Sequence, residues 1–448
     1  MAMTFAEDEL RDLFKGVQPA NQAYATEFPG DGGARQPVHT VYGGAHLFRA
    51  TTTRSLGSLA LRSLQEFGGA PNQFAEVLGI PASIAQDVYT RVQQKLQREP
   101  VEDFRIDFED GYGNRPDAEE DQHAVQAATE VARGSVEGIL PPFIGIRIKP
   151  LTEVLHARSV RTLDLFLTSL VEQLEGPLPS GLVITLPKIT SAEQVTALVV
   201  LLERFEAAHR LRPGSLPLEL MIETTQSIFD NEGRVAIPKL VRAARGRCRG
   251  AHFGVYDYTA ACEITAEHQS MIHPACDFAR DVMQVSLAGR GVMLSDGATN
   301  VMPIPPHRGQ ELTAFQRDEN QGVVHRAWKL HFDQVQRSVQ RGFYQGWDLH
   351  PAQLPTRYAA VFAFFLQSLG AASSRLKNFV DKAAQATLVG DVFDDAATGQ
   401  GLLNFFLRGL SCGALTQEEA FATGLTHDDL RTRSFVKILE ARRTRAGG

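Results

Sequence analysis

Short apolar runs recur along this chain, each followed by a polar or charged residue and then by a segment with helical spacing. The runs cover residues 38–48, 103–111, 143–150, 182–189, 218–224, 250–258, 291–297 and 346–351. The segments between them read as helices. Ser191 and Gln194 have capping-box spacing, and Val195, Leu198, Val199, Leu202 and Phe205 follow on one helical face. Val160, Leu163, Phe166, Leu167 and Leu170 repeat the pattern one segment earlier. Strands alternating with helices demand parallel pairing through right-handed crossovers. Eight such units close into an α/β fold of the (β/α)8 TIM-barrel type. The barrel is expected over residues 38–369, more than the roughly 250 residues usual for the fold. The excess is a helical insertion at about 49–100, after the first strand. An open doubly wound sheet is the alternative. It normally carries a Gly-rich phosphate turn after the first strand, whereas Gly43-Gly44 lies inside the first run and no such turn follows.

Residues 1–37 read as an N-terminal helical arm and residues 370–448 as a helical C-terminal extension. Short helices are expected there over 376–388, 401–410, 416–423 and 427–443. Leu402, Leu403, Phe405, Phe406 and Leu410 form an apolar face. Helices this short rarely stand alone, so the extension is expected to cross the barrel mouth or to pack on a neighbouring subunit.

Nearly every apolar run ends in an ionisable residue. The second closes with Asp107, Glu109 and Asp110, the third with Arg147 and Lys149, and the fourth with Lys188. The fifth to eighth end in Glu223, Asp257, Asp296 and His350. One acidic residue before a helix is usually an N-cap or a surface charge, but here successive strands share the feature. In a TIM barrel, chemistry sits at the C-terminal strand ends. Parity places Arg105, Asp107 and Glu109 on one face of their strand, and Arg147 and Lys149 on one face of the next. Inward charge is costly unless it is paired or binds something; a solvated acidic turn is the plainer reading of 107–110. Glu223 and Asp257 terminate adjacent strands, whose axes lie about 4.8 Å apart. Two carboxylates so placed can hold one hard cation and leave positions for water and substrate, as Mg²⁺ prefers. Two separate helix caps would look the same in sequence.

Composition narrows the class. With 43% hydrophobic and 22% charged residues, the 448-residue chain is globular rather than disordered. A net charge of −7 without a basic stripe argues against nucleic acid or an anionic membrane as a partner. The longest apolar stretch, 358–366, is too short to span a bilayer. Residues 1–17 mix four acidic residues, Glu7, Asp8, Glu9 and Asp12, into their apolar pattern, unlike a signal or transit peptide. The four cysteines form no C-x-x-C pair, so a cytoplasmic setting is the default expectation.

Taken in order, these segments resemble the citrate lyase β-subunit-like family of the HpcH/HpaI aldolase superfamily, which also contains malyl-CoA and citramalyl-CoA lyases. Asp107-Phe-Glu-Asp110 is similar to that family's Asp-Leu-Glu-Asp, and Arg147-Ile-Lys149 to its Arg-Val-Asn. Leu186-Pro-Lys188, Ile222-Glu-Thr224 and Phe253-Gly-Val-Tyr-Asp257 resemble its Leu-Pro-Lys, Ile-Glu-Thr and Phe-Gly-x-x-Asp segments. The stretch from Gly342 to Gln353 is similar to its closing Gly-Phe-x-Gly…His-Pro-x-Gln, with the second Gly one place late. The resemblance implies that Glu223 and Asp257 bind Mg²⁺ or Mn²⁺, and that Arg147 contacts substrate and stabilises an enolate. It implies that Glu109 and Asp110 organise water at the metal and that the assembly is a homo-oligomer, a trimer or hexamer. Lys188 joins Arg147, Glu109 and Asp110 as a catalytic candidate. Lys149, Asp296 and His350 join Arg147 as substrate-binding candidates and are also the candidates for general acid or base. The departures are Lys149 in place of Asn, Gly111-Tyr112 in place of Ala-Val, a longer Glu223–Asp257 interval, the insertion at about 49–100, and no match to the family's acyl-CoA-binding residues.

The expected activity is a Mg²⁺-dependent carbon–carbon lyase or aldolase working through an enolate. Its substrate is a 2-oxo acid or a hydroxyacyl thioester, with CoA as the carrier in the latter case. The alternatives are a thioester hydrolase on the same site and a non-catalytic metal-binding scaffold or regulatory protein. A Schiff-base aldolase is a further rival, for which only Lys149 and Lys188 are placed on strands.

Overall fold

Eight parallel strands hydrogen-bond in sequence order and close on themselves. They are β1 His39–Gly44, β2 Asp103–Asp107, β3 Phe143–Arg147, β4 Leu182–Leu186, β5 Leu218–Ile222, β6 Cys248–Phe253, β7 Met293–Ala298 and β8 Gln345–Asp348. Each lies in or against one of the apolar runs, and the β1–β8 pairing, His39 opposite Gly346, seals the barrel. The chain is therefore a (β/α)8 TIM barrel. The structure is a computed structural model and describes residues 4–30, 32–174, 176–309, 311–381, 387–389, 392–394 and 396–446.

The alternation within the strands sorts the side chains. Phe104, Ile106, Ile144, Ile146, Ile184, Leu186, Leu220 and Ile222 are buried in the core beneath the helices. The opposite face points into the barrel and is polar. Arg105 reaches across it, donating to Thr185 Oγ1 at 3.1 Å and to Glu219 at 2.8 Å, and it also pairs with Asp103. Thr40 donates to Asp103 at 2.8 Å, and Gln345 donates to Thr40 at 2.9 Å. Most TIM barrels fill this space with branched apolar side chains. Here the inward charge anticipated from parity is paired within the barrel.

A second buried hub locks the closing strand. The Asp348 carboxylate contacts His39 at 2.8 Å, His331 at 3.0 Å and Arg357 at 2.9 Å, all of them buried. His331 lies on helix Ala314–Gln340 and Arg357 on helix Leu354–Asp381. One carboxylate thus ties β8 to β1 and to both long helices. Burial alone would raise the Asp348 pKa, but Arg357 and His331 hold it well below the usual range.

The insertion after β1 forms helices Thr52–Phe67, Pro71–Leu78 and Ala82–Arg98. Phe74 meets Trp328 edge-on at 5.6 Å, and the Tyr358 hydroxyl donates to the Pro100 carbonyl at 3.0 Å. The insertion therefore packs on the two long helices. Residues 351–379 are long and apolar enough to cross a membrane by composition, with a mean hydropathy of 1.2, a longer span than the 358–366 run. In the fold, Tyr358, Phe362, Phe365, Leu376 and Phe379 are buried in the core.

The N-terminal segment forms helices Glu7–Phe14 and Val17–Glu27, which bury none of their residues. It meets the body where the Phe28 ring lies 4.4 Å from the Arg290 guanidinium. Beyond the long helix, the extension contains helices Ala396–Ser411, Gln417–Phe421, His427–Thr432 and Phe435–Ala446. Of the helix expected over 376–388, residues 376–381 are the end of Leu354–Asp381, residues 382–386 lie outside the described residues, and residues 387–388 belong instead to a short strand, Thr387–Val389, that pairs antiparallel with Val392–Asp394. The described part of the extension does not cross the mouth. Its Phe405 packs on Phe365 at 5.1 Å, and Arg408 donates at 3.0 Å to Gln36, which precedes β1 at the opposite end of the barrel. The apolar face found its partner in the flank of the long helix of the same chain.

Replacing Asp348 with Ala leaves Arg357 buried without its counter-charge. Such losses cost about 3–5 kcal/mol, and equilibrium denaturation followed by circular dichroism should show a drop of that order.

Candidate functional site

The mouth is built from the loop after β2 inward. Asp107, the last residue of β2, accepts the backbone N–H of Glu109 at 3.0 Å and that of Gly111 at 2.7 Å. The loop curls round its carboxylate so tightly that a Cβ on Gly111 would lie 2.6 Å from Asp107 Oδ2. That accounts for the glycine that departs from the family pattern. The same carboxylate grips Arg147 from the end of β3, taking Nε at 2.7 Å and Nη2 at 2.5 Å. This two-point geometry fixes the guanidinium plane. The remaining nitrogen, Nη1, lies 3.1 Å from Glu109 and 3.6 Å from Asp110. The Tyr42 ring from β1 supports the guanidinium at 4.8 Å.

Lys188 follows β4 with a positive φ of 47°, a region costly for a residue with a side chain. The conformation aims its backbone N–H at Glu223 Oε1, 2.7 Å away. Its ammonium bonds Glu109, contacts Asp110 at 3.0 Å and lies 3.5 Å from Asp257. Burial works against its charge, but the hydrogen bond to Glu109 and the attraction of Asp257 raise its pKa above the ordinary value.

Glu223, just past β5, is 1% exposed, and its Oε2 has no hydrogen-bond partner. Gly254, after β6, makes room for it, since a Cβ there would stand 2.4 Å from that oxygen. Burial first, and then the nearby Asp257 carboxylate, push the Glu223 pKa up to about 8. Neither residue is a helix cap: Thr224 caps the turn after β5, and Asp257 lies inside helix Val255–Ala261 rather than at the end of its strand.

The structure therefore brings Arg147, Glu109, Asp110, Lys188, Glu223 and Asp257 into one linked cluster. It does not bring the other three candidates there. Lys149 donates to Glu120 and to the Phe108 carbonyl, both at 2.7 Å, and Glu120 belongs to helix Asp117–Val136. Asp296 accepts from Arg280 at 2.8 Å and Ser338 at 2.6 Å, on helices Pro274–Leu287 and Ala314–Gln340. Both side chains join the barrel to its helices. His350 accepts the Ala352 N–H at 3.2 Å and caps the turn after β8. Sequence reasoning missed Tyr42 and the central role of Asp107. The alternation along β1, which turns Tyr42 to the same side as Gly44, was the available signal for the first.

A divalent cation fits this mouth. The orphaned, buried Glu223 oxygen and the adjacent Asp257 carboxylate are hard ligands of the kind Mg²⁺ takes in ones and twos, with water completing its shell. Among the described residues, no three His, Cys, Asp or Glu side chains converge as a closed cage.

Over residues 17–438 the chain matches, and belongs to, the family described as a domain of unknown function (DUF6986). Its fold is that of a solved citrate lyase from Burkholderia xenovorans LB400, which is 18% identical with a TM-score of 0.57. That match covers 88% of this chain and 97% of the other. A Haloferax volcanii malate synthase in a magnesium/glyoxylate complex also matches, at 14% identity and a TM-score of 0.43, over 90% of this chain and 96% of the other. No curated protein sequence matches the chain.

The sign of the Glu223 shift gives a pH prediction. A carboxyl whose pKa is raised from 4.5 to about 8 keeps its proton at neutral pH. The stability this contributes is fully present below the unfolded value and is lost as pH rises through the folded one. A Mg²⁺ held by Glu223 would have to displace that proton, so its affinity should climb with pH and level off above about 8. Calorimetric titrations in buffers of different ionisation heat should count close to one proton released near pH 6.5, and fewer in Glu223→Gln.

Proposed function

We propose that the protein is a Mg²⁺-dependent carbon–carbon lyase or aldolase that forms an enolate from a 2-oxo acid or a hydroxyacyl thioester. The observation that carries this reading is the pairing of two unlike halves in one mouth. One half is the Glu223–Asp257 carboxylate pair, with its orphaned buried oxygen. The other is Arg147, held by Asp107 with Nη1 left on the side of Glu109. The likeness of fold to the citrate lyase structure supports the same class.

A bound divalent cation would supply Lewis-acid polarisation of the substrate carbonyl. The chain's own residues do the rest. Arg147 stabilises negative charge developing on the enolate oxygen as a fixed, fully charged donor, and its two bonds to Asp107 leave little reorganisation at the moment of reaction. Glu109 stands between Arg147 Nη1 and Lys188 Nζ, so it sets the distance between the two cations. Lys188 balances the carboxylates and fixes Glu223 through its backbone N–H. The Schiff-base rival needs a neutral amine, but the Lys188 ammonium is held by Glu109 and Asp110 and that of Lys149 by Glu120.

Glu223→Ala and Asp257→Ala should each weaken Mg²⁺ binding by removing a charged oxygen. Arg147→Ala should spare the metal and lower turnover by about 10²–10³. Arg147→Lys should not restore it, because an ammonium cannot span the two Asp107 oxygens. Calorimetry with Mg²⁺, alongside turnover of oxaloacetate or a hydroxyacyl-CoA, checks both halves. Unchanged metal affinity in both carboxylate variants would refute the site.

A further inference from the structure

The mouth carries Asp107, Glu109, Asp110, Glu223 and Asp257, yet among the described residues no three such side chains converge to cage a metal. The two cations account for this. Arg147 holds Asp107. Lys188 holds the rest of the β2 loop: its ammonium bonds Glu109 and meets both oxygens of Asp110, at 3.0 and 3.1 Å. The same nitrogen lies 3.5 Å from Asp257. One ammonium thus stands between the acidic pair of the β2 loop and the Glu223–Asp257 pair.

The backbone of Lys188 points the same way. Its φ of 47° is costly for a residue with a Cβ and free for glycine. The backbone N–H that holds Glu223 Oε1 at 2.7 Å calls for that conformation but not for a side chain. What the side chain adds is the ammonium and its grip on the carboxylates. Glu109 has a second hold on it, since Arg147 Nη1 lies 3.1 Å away. Asp110 is 56% exposed and is held chiefly by Lys188, so it is the carboxylate most free to turn towards a cation once released. Divalent cations sort by the number of such ligands. Mg²⁺ takes one or two carboxylates and keeps waters that substrate oxygens can replace, whereas Ca²⁺ takes roughly six to eight oxygens and gains affinity with each added carboxylate.

We propose that Lys188 keeps the cation site at Glu223 and Asp257 open. By holding Glu109 and Asp110 to its own charge, it keeps them out of the cation's shell, leaves positions there for substrate oxygens, and sets the preference for Mg²⁺ over Ca²⁺. Lys188 is then a positioning residue that acts through the carboxylates it holds. The inference rests on the metal reading of the Glu223–Asp257 pair.

The test measures metal binding, not activity. Mg²⁺ and Ca²⁺ are titrated calorimetrically into the parent protein and into Lys188→Met, Lys188→Gly and Lys188→Arg, and water-proton relaxation counts the waters on bound Mn²⁺. Met keeps the stem without the charge. Gly accepts the positive φ, so it preserves the backbone N–H to Glu223 and serves if the Met variant fails to fold. Both neutral variants should bind Mg²⁺ about 10-fold more tightly, because a positive charge beside the site is gone. They should gain more for Ca²⁺ than for Mg²⁺ and carry about one or two fewer waters on Mn²⁺, because a carboxylate has joined the shell. Lys188→Arg keeps the charge and should behave as the parent. Equal gains for the two ions with the parent's water count would reduce Lys188 to a nearby charge and overturn the proposal. Unchanged or weaker Mg²⁺ binding in both neutral variants overturns it too. A parent protein that binds none of the three ions overturns the metal reading of the mouth itself.

Discussion

Too much negative charge in too little space is the constraint that organises this protein's mouth. Among the described residues, Asp107, Glu109, Asp110, Glu223 and Asp257 pair with two cations, Arg147 and Lys188. Asp107 takes most of the arginine, and Glu109 and Asp110 most of the lysine. Glu223 is left with a single backbone N–H and an oxygen that nothing satisfies. The local remedies are a carboxyl whose pKa burial and Asp257 push upward, a lysine backbone held at positive φ, and a glycine where any side chain would collide. A cation would relieve the same imbalance at once, which is why the arrangement reads as a binding site rather than as a set of helix caps.

The barrel was legible because eight short runs alternate with helical segments, and period-two alternation survives in strands such as β2 and β3 even with charged residues on the inward face. The pairing of Arg105 with Glu219 and Asp103 shows why parity was informative, since charge at inward positions had to find partners across the barrel. The mouth cluster was legible for the same reason, as strand ends point one way in a parallel barrel. Lys149 and His350 stand just beyond strand ends and Asp296 lies inside β7, two residues before its end, and their side chains bond Glu120, the Ala352 N–H and Arg280. Sequence position gives the end of a strand but not the direction taken by a long side chain after the strand stops. The course of the extension was hidden for a related reason. An amphipathic face announces that it needs a partner, and the partner was Phe365 of the same chain, some forty residues before Phe405.

The polar interior also bears on how the site is held. Tyr42 sits between two systems, with its hydroxyl toward His252 and Met221 and its ring under Arg147. Arg105, Glu219 and His252 therefore form a floor that meets the Arg147 guanidinium through one aromatic ring. Rigid, fully paired polar cores specify a single arrangement more sharply than apolar ones of similar volume, and a fixed guanidinium is what stabilisation of a developing charge requires.

The Asp348 hub has a consequence in time. His39 opens the barrel and Arg357 comes more than 300 residues later, yet both meet the same carboxylate. During synthesis at about 5–20 residues per second, the two are separated by roughly 15 to 60 seconds. Until then the outer edge of β1 has no β8 to pair with, and an unpaired parallel edge is open to other chains. Closure of this barrel is thus a late event on the ribosome, and a chaperone that shields the first strand would have most to do in that interval.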